Sequence, residues 1–554
     1  MRRASSVAIL LAIACSDTSS ATAPVDAGSA DAADAEAPED VIGDAGSAPF
    51  EDVAASAGLP AGGGTCIVFD DFDGDARPDL FLASFIGAPQ SIALYINDGG
   101  GRFHAKPVSV AFAAQGATPG WCAAGDVDAD GKLDVVLGAF PGLELHVLRN
   151  TGGGSFSDAQ TLNAAAPNAV ALSAIAIADF DGDGALDVVA APYAIAPPHD
   201  SASCVQTPEG FTCAMGANRC LAPPFWFRND GAGRFGAARS ITSATDCGAA
   251  NTNALAITDW DGDGRADLFV ANDWGTNRLY VNAAGAMFRD VWPALGAKSY
   301  NEAMGAAFED FDFDGNLDLY VADIGSDQLY LGTGGGMIAR HNVDWGVARP
   351  TRLHSGWAAS GEDFDSDGFP DVFVASAAFV QTYGDLAKAG AGEALEARTQ
   401  YDLLLHNDGG RGFSPQWVKQ TKQAEPFASF GATAIADYDG DGRLDIAEAV
   451  GYPARFQLLH NVAPARHWLR VRLKGKAPNV DGIGAKVTIS RAGAPAWKRL
   501  VTRSRGTLGG SWATLHFGLG DGASVDRVDV RWPNGATQTV PSPAIDAVLT
   551  IAEP

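Results

Sequence analysis

The chain is poor in methionine and cysteine, with 5 and 7 among 554 residues, and only 19% of it is charged. Few Met beside 66 Gly and 29 Pro argues against long helices and for many short strands joined by turns. No C-x-x-C, C-x-x-C-H or Cys/His group with zinc spacing occurs, which weighs against haem and zinc. G-x-S-x-G and H-E-x-x-H are absent too, and the 9 His form no evident catalytic arrangement. Lys and Arg are missing altogether from residues 16–48. The N-terminal apolar run, Val7 to Ala14, is too short to cross a bilayer as a permanent helix.

That run follows Arg2-Arg3 and reads as a secretory signal, so the protein is expected to be exported. It ends Leu-Ala-Ile-Ala-Cys, which resembles a bacterial lipobox with Cys15 as the lipidated residue. Cleavage after Ala12-Ile13-Ala14 fits as well. The two readings give an outer-membrane or cell-surface lipoprotein (residues 1–15 being signal and lipobox) or a secreted protein. Any membrane contact is then through the lipid alone. Residues 16–48 carry eight acidic residues among Ala, Ser and Pro and are expected to form a disordered linker. As a coil this linker would reach roughly 30 Å.

Six further cysteines, Cys66, Cys122, Cys204, Cys213, Cys220 and Cys247, make an even number, which in an exported chain favours disulfides.

One nine-residue pattern, D-x-D-x-D-G-x-x-D, recurs seven times. Its acids are Asp71, Asp73, Asp75 and Asp79 in the first copy and Asp126, Asp128, Asp130 and Asp134 in the second. Asp179, Asp181, Asp183 and Asp187 follow, then Asp259, Asp261, Asp263 and Asp267. The fifth copy has Asp310, Asp312, Asp314 and Asp318, and the sixth Asp363, Asp365, Asp367 and Asp371. Asp437, Asp439, Asp441 and Asp445 form the last. Copies start 51 to 55 residues apart, except for two spacings of 80 and 74 that imply insertions. Strand-like runs flank each loop, and Asn/Gly-rich turns such as NDGGGRF (97–103) supply the positive-φ positions of a hairpin. A unit of about fifty residues built this way is a propeller blade.

The loop chemistry is that of a hard cation. Alternate Asp side chains converge when the chain curls, Gly at position six permits the turn, and a fourth Asp closes the shell. The loops hold 28 of the 67 acidic residues; the other 39 nearly balance 38 Lys and Arg. Four carboxylates crowded together become favourable only around a cation, and Ca2+ suits a large oxygen shell. Up to seven structural calcium ions are expected. Loop one has Ala76 in place of Gly, so its geometry is expected to be the poorest.

These repeats resemble the FG-GAP/VCBS calcium repeats of integrin-α-like propellers over residues 50 to about 462. FEDVAASAGL (50–59) resembles the opening of the cartilage acidic protein-like family. HWLRVRLKG (467–475), NVDGIGAKVTI (479–489), LHFGLGD (515–521) and VDVRWPNG (528–535) resemble its ASPIC/UnbV domain. The resemblance supplies architecture more than activity.

The expected fold is all-β: a seven-bladed propeller over 49–463 and a small β-sandwich over 464–554. PFEDV (49–53) is expected to supply the missing outer strand of the last blade. The Asp loops and hairpin turns should share one rim. Insertions at about 192–224 and 376–400 should stand on the other, beside Trp121, Asn253, Glu302 and Trp357 at the channel mouth. Cys66 and Cys122 precede their Asp loops and are placed to bridge blades one and two; Cys204, Cys213, Cys220 and Cys247 are expected to pin the first insertion. The C-terminal domain, with 13 basic and 6 acidic residues, would meet either an anionic surface or the acidic propeller. The function expected is non-enzymatic calcium-dependent adhesion or binding of a protein or glycan, not of nucleic acid, through the insertion-bearing face. An enzyme with its active site at the channel mouth, or a purely structural surface component, is the alternative.

Overall fold

The computed structural model describes residues 46–554 apart from 85–91, 114–115, 167–168, 194–203, 208–209, 214–222, 243–250, 274, 285–286, 298–301, 352–354, 378–400, 419–428, 453–454, 505–508 and 523. Cys15, Cys220, Cys247, the signal and almost all of the acidic linker thus lie outside the described residues.

The sequence alternates buried apolar strands with Asp loops, and the strands assemble into antiparallel sheets of four. Blade one shows the plan: an inner strand Cys66–Asp70, then Asp79–Ala83, Ile92–Gly99 and an outer strand Arg102–Val108. Six more sheets follow with inner strands Thr118–Gly125, Ala171–Ala178, Asn251–Thr258, Ala303–Glu309, Ser355–Glu362 and Ser429–Ala436. Each inner strand touches the next, and the last touches the first, so the sheets stand in a ring. This is an all-β propeller with a small C-terminal β domain.

The ring is closed by the start of the chain. Phe50–Asp52 pairs antiparallel with Arg455–Asn461 and completes the seventh sheet. Phe50 is buried against Phe364 and Phe373 of blade six, with ring centres 5.8 and 6.3 Å away. Gly46–Ser47 adds a short parallel strand to the outer edge of blade six. Cys66 and Cys122 form a disulfide between the inner strands of blades one and two, with Cα atoms 5.6 Å apart. In the first insertion, Cys204 and Cys213 are register partners in the hairpin Cys204–Thr207 and Gly210–Cys213.

The C-terminal domain packs a three-stranded sheet, with His467–Lys474 at its centre, against a four-stranded one that includes Lys486–Ser490 and Arg527–Arg531. Leu469, Val471, Val487, Ile489, Leu515, Phe517, Val528 and Val530 fill its core, which continues into blades two and three. No helix among the described residues is long and apolar enough to cross a membrane.

Candidate metal loops and the docked C-terminal domain

Each Asp loop is a turn in which the carboxylates first satisfy their own backbone. The ninth-position Asp is the keystone. One of its oxygens accepts from the backbone N–H of position two at 2.7 to 3.3 Å in all seven loops. The other accepts from a backbone N–H of the same blade's third strand at 2.7 to 2.9 Å. The first-position Asp accepts from the N–H of position six in six loops, for example Gly131 to Asp126 at 2.7 Å.

Backbone conformation explains the glycines and exposes two irregularities. Position six is left-handed in every loop, with Ala76 at φ 72° doing what Gly does elsewhere. Position four is also left-handed, and there Ala129, Phe313 and Ser366 replace Gly at φ 60°, 56° and 56°. A side chain in this region is disfavoured by about 1 kcal/mol. Ala76→Gly is therefore expected to raise stability by about 0.5 kcal/mol, after the entropy added to the unfolded chain. Denaturant unfolding at fixed metal concentration checks it; a loss of stability would refute the strain.

The loops bring three carboxylates to a point. In loops one to three the acids of positions one, three and nine (Asp71/Asp73/Asp79, Asp126/Asp128/Asp134 and Asp179/Asp181/Asp187) have ligand oxygens within 4.8 Å of one another. Position five is drawn aside in four loops, where Asp75, Asp130, Asp263 and Asp441 pair with the basic residue two places on. Burial, reinforced by neighbouring carboxylates, pushes Asp79, Asp134, Asp187, Asp267 and Asp445 up to about 7 and Asp318 up to about 8. In loops four and five, Asp259 Oδ1 and Asp310 Oδ1 are buried without a hydrogen-bond partner. Converging, dehydrated oxygens with unused lone pairs fit a divalent cation.

A latch that spacing alone did not reveal joins the loops to their neighbours. The Asn opening each hairpin turn sends its side-chain N–H2 to the position-two carbonyl of the preceding blade's loop. Asn97 reaches Tyr438, Asn150 Phe72, Asn229 Val127, Asn282 Phe180, Asn407 Phe311 and Asn461 Phe364, all at 2.6 to 3.0 Å. Its own carbonyl accepts from the turn, as from Gly152 to Asn150 at 3.0 Å. Blade five has Gly332 here, where a Cβ would lie 2.5 Å from the Leu317 carbonyl. The recurrent Asn was visible in the turns; its partner, in another blade, was not. Asn150→Ala is expected to cost about 2 kcal/mol, since it leaves buried backbone groups unpaired. Thermal unfolding reads this, and a cost under about 0.5 kcal/mol would show the latch to be idle.

The C-terminal domain sits on this same rim. Lys486 Nζ lies 2.5 Å from Asp259, Arg470 Nη2 2.8 Å from Asp437 and Arg466 Nη1 2.8 Å from Asp365. Phe313, despite its strained backbone, meets Trp497 with ring centres 5.7 Å apart. Residues on both sides of 505–508 reach the inner strands of the ring. Gly509–Gly510 runs parallel beside Ile67–Val68 of the innermost strand, and a Cβ on Gly509 would overlap the Ile67 carbonyl. Ile435 N–H donates to Ser511 Oγ at 3.0 Å. Arg503 bonds Asp70 at 2.7 Å and Asp481 at 3.0 Å. Arg499, fully buried, bonds Glu362 at 2.7 Å and Glu309 at 2.5 Å. The basic excess of the domain is thus spent, at least in part, on the acidic propeller.

At the other rim, Trp121, Asn253, Glu302 and Trp357 are all buried, at 3%, 8%, 3% and 7% exposure. Trp121 packs on Phe140 and Tyr193, while Asn253 Nδ2 bonds Met304 Sδ at 2.9 Å. Glu302 N–H donates to Asp323 at 2.8 Å.

The repeats match the FG-GAP-like repeat family over residues 71–137, 139–190, 259–321 and 310–374, and residues 475–554 match the ASPIC and UnbV family. The propeller thus carries FG-GAP-like repeats over these spans, and the C-terminal domain is an ASPIC/UnbV domain. Among curated proteins it is similar to cartilage acidic protein 1 of Xenopus tropicalis, 28% identical over 307 residues, 52% of this chain and 43% of the relative. Cartilage acidic protein 1 of Mus musculus is 26% identical over 300 residues, with the same coverage. The chain thus spans less than half the length of these curated relatives. Among solved structures it is similar to an Agrocybe aegerita lectin that recognises non-reducing terminal N-acetylglucosamine, at TM-score 0.40, 18% identity and coverage of 68% and 84%. It is also similar to BBS1N from its complex with ARL6DN, at TM-score 0.39, 10% identity and coverage of 75% and 97%.

Proposed function

We propose that this protein is an extracellular, calcium-stabilised binding protein of adhesion type, exported by its N-terminal signal and devoid of catalytic activity. The FG-GAP repeats and the cartilage acidic protein relatives support the extracellular, adhesion-type assignment. In each regular loop the carboxylates of positions one, three and nine would hold the calcium ion. The metal neutralises carboxylates that burial otherwise drives to protonate, and so fixes the rim on which the C-terminal domain rests.

The observation that carries the ligand assignment is the covering of the Asp-loop rim by the C-terminal domain. The second strands of blades three and six end at Tyr193 and Ala377, and the third strands begin at Phe225 and Asp402. Both insertions therefore leave from the opposite rim, where long segments on a rigid scaffold commonly carry binding. The ligand is a protein or a glycan of the extracellular space. Screening the secreted form on glycan and extracellular-protein arrays, beside variants with 194–222 or 378–400 replaced by Gly-Ser linkers, tests this. Capture lost in a linker variant that keeps its melting temperature supports the reading. Capture retained in both, or substrate turnover by the wild type, would overturn it.

A further inference from the structure

We propose that the loops of blades six and seven select a transition-metal dication of the zinc or cobalt class over calcium, using His406 and His460 as nitrogen ligands. The inference rests on the reading of the Asp loops as divalent-metal sites and concerns which metal two of them take.

The residue just before each hairpin Asn lies beside its blade's Asp loop. In blades two and three it is an arginine that pairs with loop acids: Arg149 Nε lies 3.4 Å from Asp128, and Arg228 Nη2 2.5 Å from Asp183. In blades one, four and five it is Ile96, Val281 or Leu331, which offers no polar atom. In blades six and seven alone it is histidine. His406 Nδ1 lies 3.2 Å from Asp371 and 3.8 Å from Asp365. His460 Nδ1 repeats the arrangement, 3.2 Å from Asp445 and 3.7 Å from Asp439.

In the same two loops the C-terminal domain engages the first-position acid. Both oxygens of Asp437 accept backbone N–H groups, and Oδ2 also takes Arg470 at 2.8 Å. Asp363 is wholly buried, accepts from Asp367 and Gly368 N–H, and lies so close under Gly518 that a Cβ there would overlap its carboxylate. Asp365, Asp367 and His406 converge in loop six, where Arg466 also reaches Asp365 at 2.8 Å, and Asp439, Asp445 and His460 converge in loop seven, with ligand atoms in each group within 4.8 Å of one another.

The donor set decides the metal. Calcium needs six to eight oxygens and gains little from an imidazole. An imidazole with two carboxylates suits zinc, cobalt and their neighbours, which are satisfied by fewer ligands. The competing role for these histidines is that of the arginines in blades two and three, a counter-charge with no metal preference.

The test uses the full chain, stripped of metal and dialysed against cobalt(II) with calcium in large excess. Two cobalt ions per chain are expected to remain, with X-ray absorption showing nitrogen in their shells. His406→Gln and His460→Gln should each lose one ion and the double variant both, while calcium bound elsewhere is unchanged. In His406→Asp and His460→Asp, which restore an all-oxygen set, calcium should replace cobalt. Complete displacement of cobalt from the wild type by calcium, or two cobalt ions retained by the double variant, overturns the proposal. Calcium bound at every loop without cobalt would leave the calcium reading standing and sink this one. Cobalt at these two loops with no calcium anywhere would do the reverse.

Discussion

Stripped of metal, the protein should melt at a higher temperature at pH 5 than at pH 8, and calcium should reverse the order. The ninth-position acids are raised from the ordinary carboxylate value to about 6 in Asp371, about 7 in Asp79, Asp134, Asp187, Asp267 and Asp445, and about 8 in Asp318. Between roughly pH 4 and those values the folded chain binds more protons than the unfolded chain, so stability falls as pH rises. Their contribution is fully present below about pH 4 and is lost through about pH 7. Calcium bound at the loops as proposed would hold the same groups ionised and compete with protons, so in its presence stability should rise over that window. At a hundredfold excess over its dissociation constant, each site that binds only the folded state contributes roughly 2.7 kcal/mol. Scanning calorimetry of stripped and reloaded protein across this range measures both slopes. Identical melting temperatures with and without metal at pH 8 would remove calcium from the account.

The second large effect lies at Arg499. Its guanidinium is the shared partner of Glu309 and Glu362, and all three side chains are at least nine-tenths buried. It also donates to the His516 carbonyl at 2.9 Å. Arg499→Met removes the positive charge and leaves two buried carboxylates at the ends of the inner strands of blades five and six. Breaking a buried pair this way costs about 3–5 kcal/mol, most of it the penalty on buried carboxylates that have lost this cation. Adding Glu309→Gln and Glu362→Gln should recover much of the loss, because the neutral amides are cheaper to bury. The expected result is early unfolding and proteolysis near residue 464 in the single variant, with substantial rescue in the triple variant. A single variant as stable as wild type, or a triple variant no better than the single, would show that Arg499 does not fasten the domain. Being buried, this linkage should also resist salt, unlike the half-exposed Arg466–Asp365 pair.

Much of the architecture was legible because its signals are local. An Asp at every second position, a Gly where the backbone turns left-handed and a strand on each side specify one blade. The repeat then specifies the ring. PFEDV was recognisable as a closing strand because the last blade lacked its fourth, and Phe50–Asp52 pairs there. Cys66 and Cys122, at equivalent places in adjacent blades, were legible as a bridge for the same reason. Position four was missed, since Ala129, Phe313 and Ser366 are not residues that announce a left-handed backbone. The Asn latches were half-read: the turn each opens lies in its own blade, but the carbonyl it holds is 78 residues away for Asn150 and 102 for Asn229.

From residue order alone come the blades, their loops and the acidity of one rim, because each depends on contacts within a few dozen residues. The closure of the ring spans the whole propeller and was legible only because the last repeat lacked a strand. Which face the C-terminal domain covers does not follow from that order. Arg499 meets Glu309 from 190 residues away, and Arg503 meets Asp70 from 433. The charge imbalance between domains made such docking possible, yet many pairings of basic residues with a rim of like acids are equivalent on charge alone. Shape chooses among them. Only in three dimensions do Gly509 and Gly518 prove small enough for the domain to press into the ring, and two histidines come to stand beside the acids of their own blades' loops.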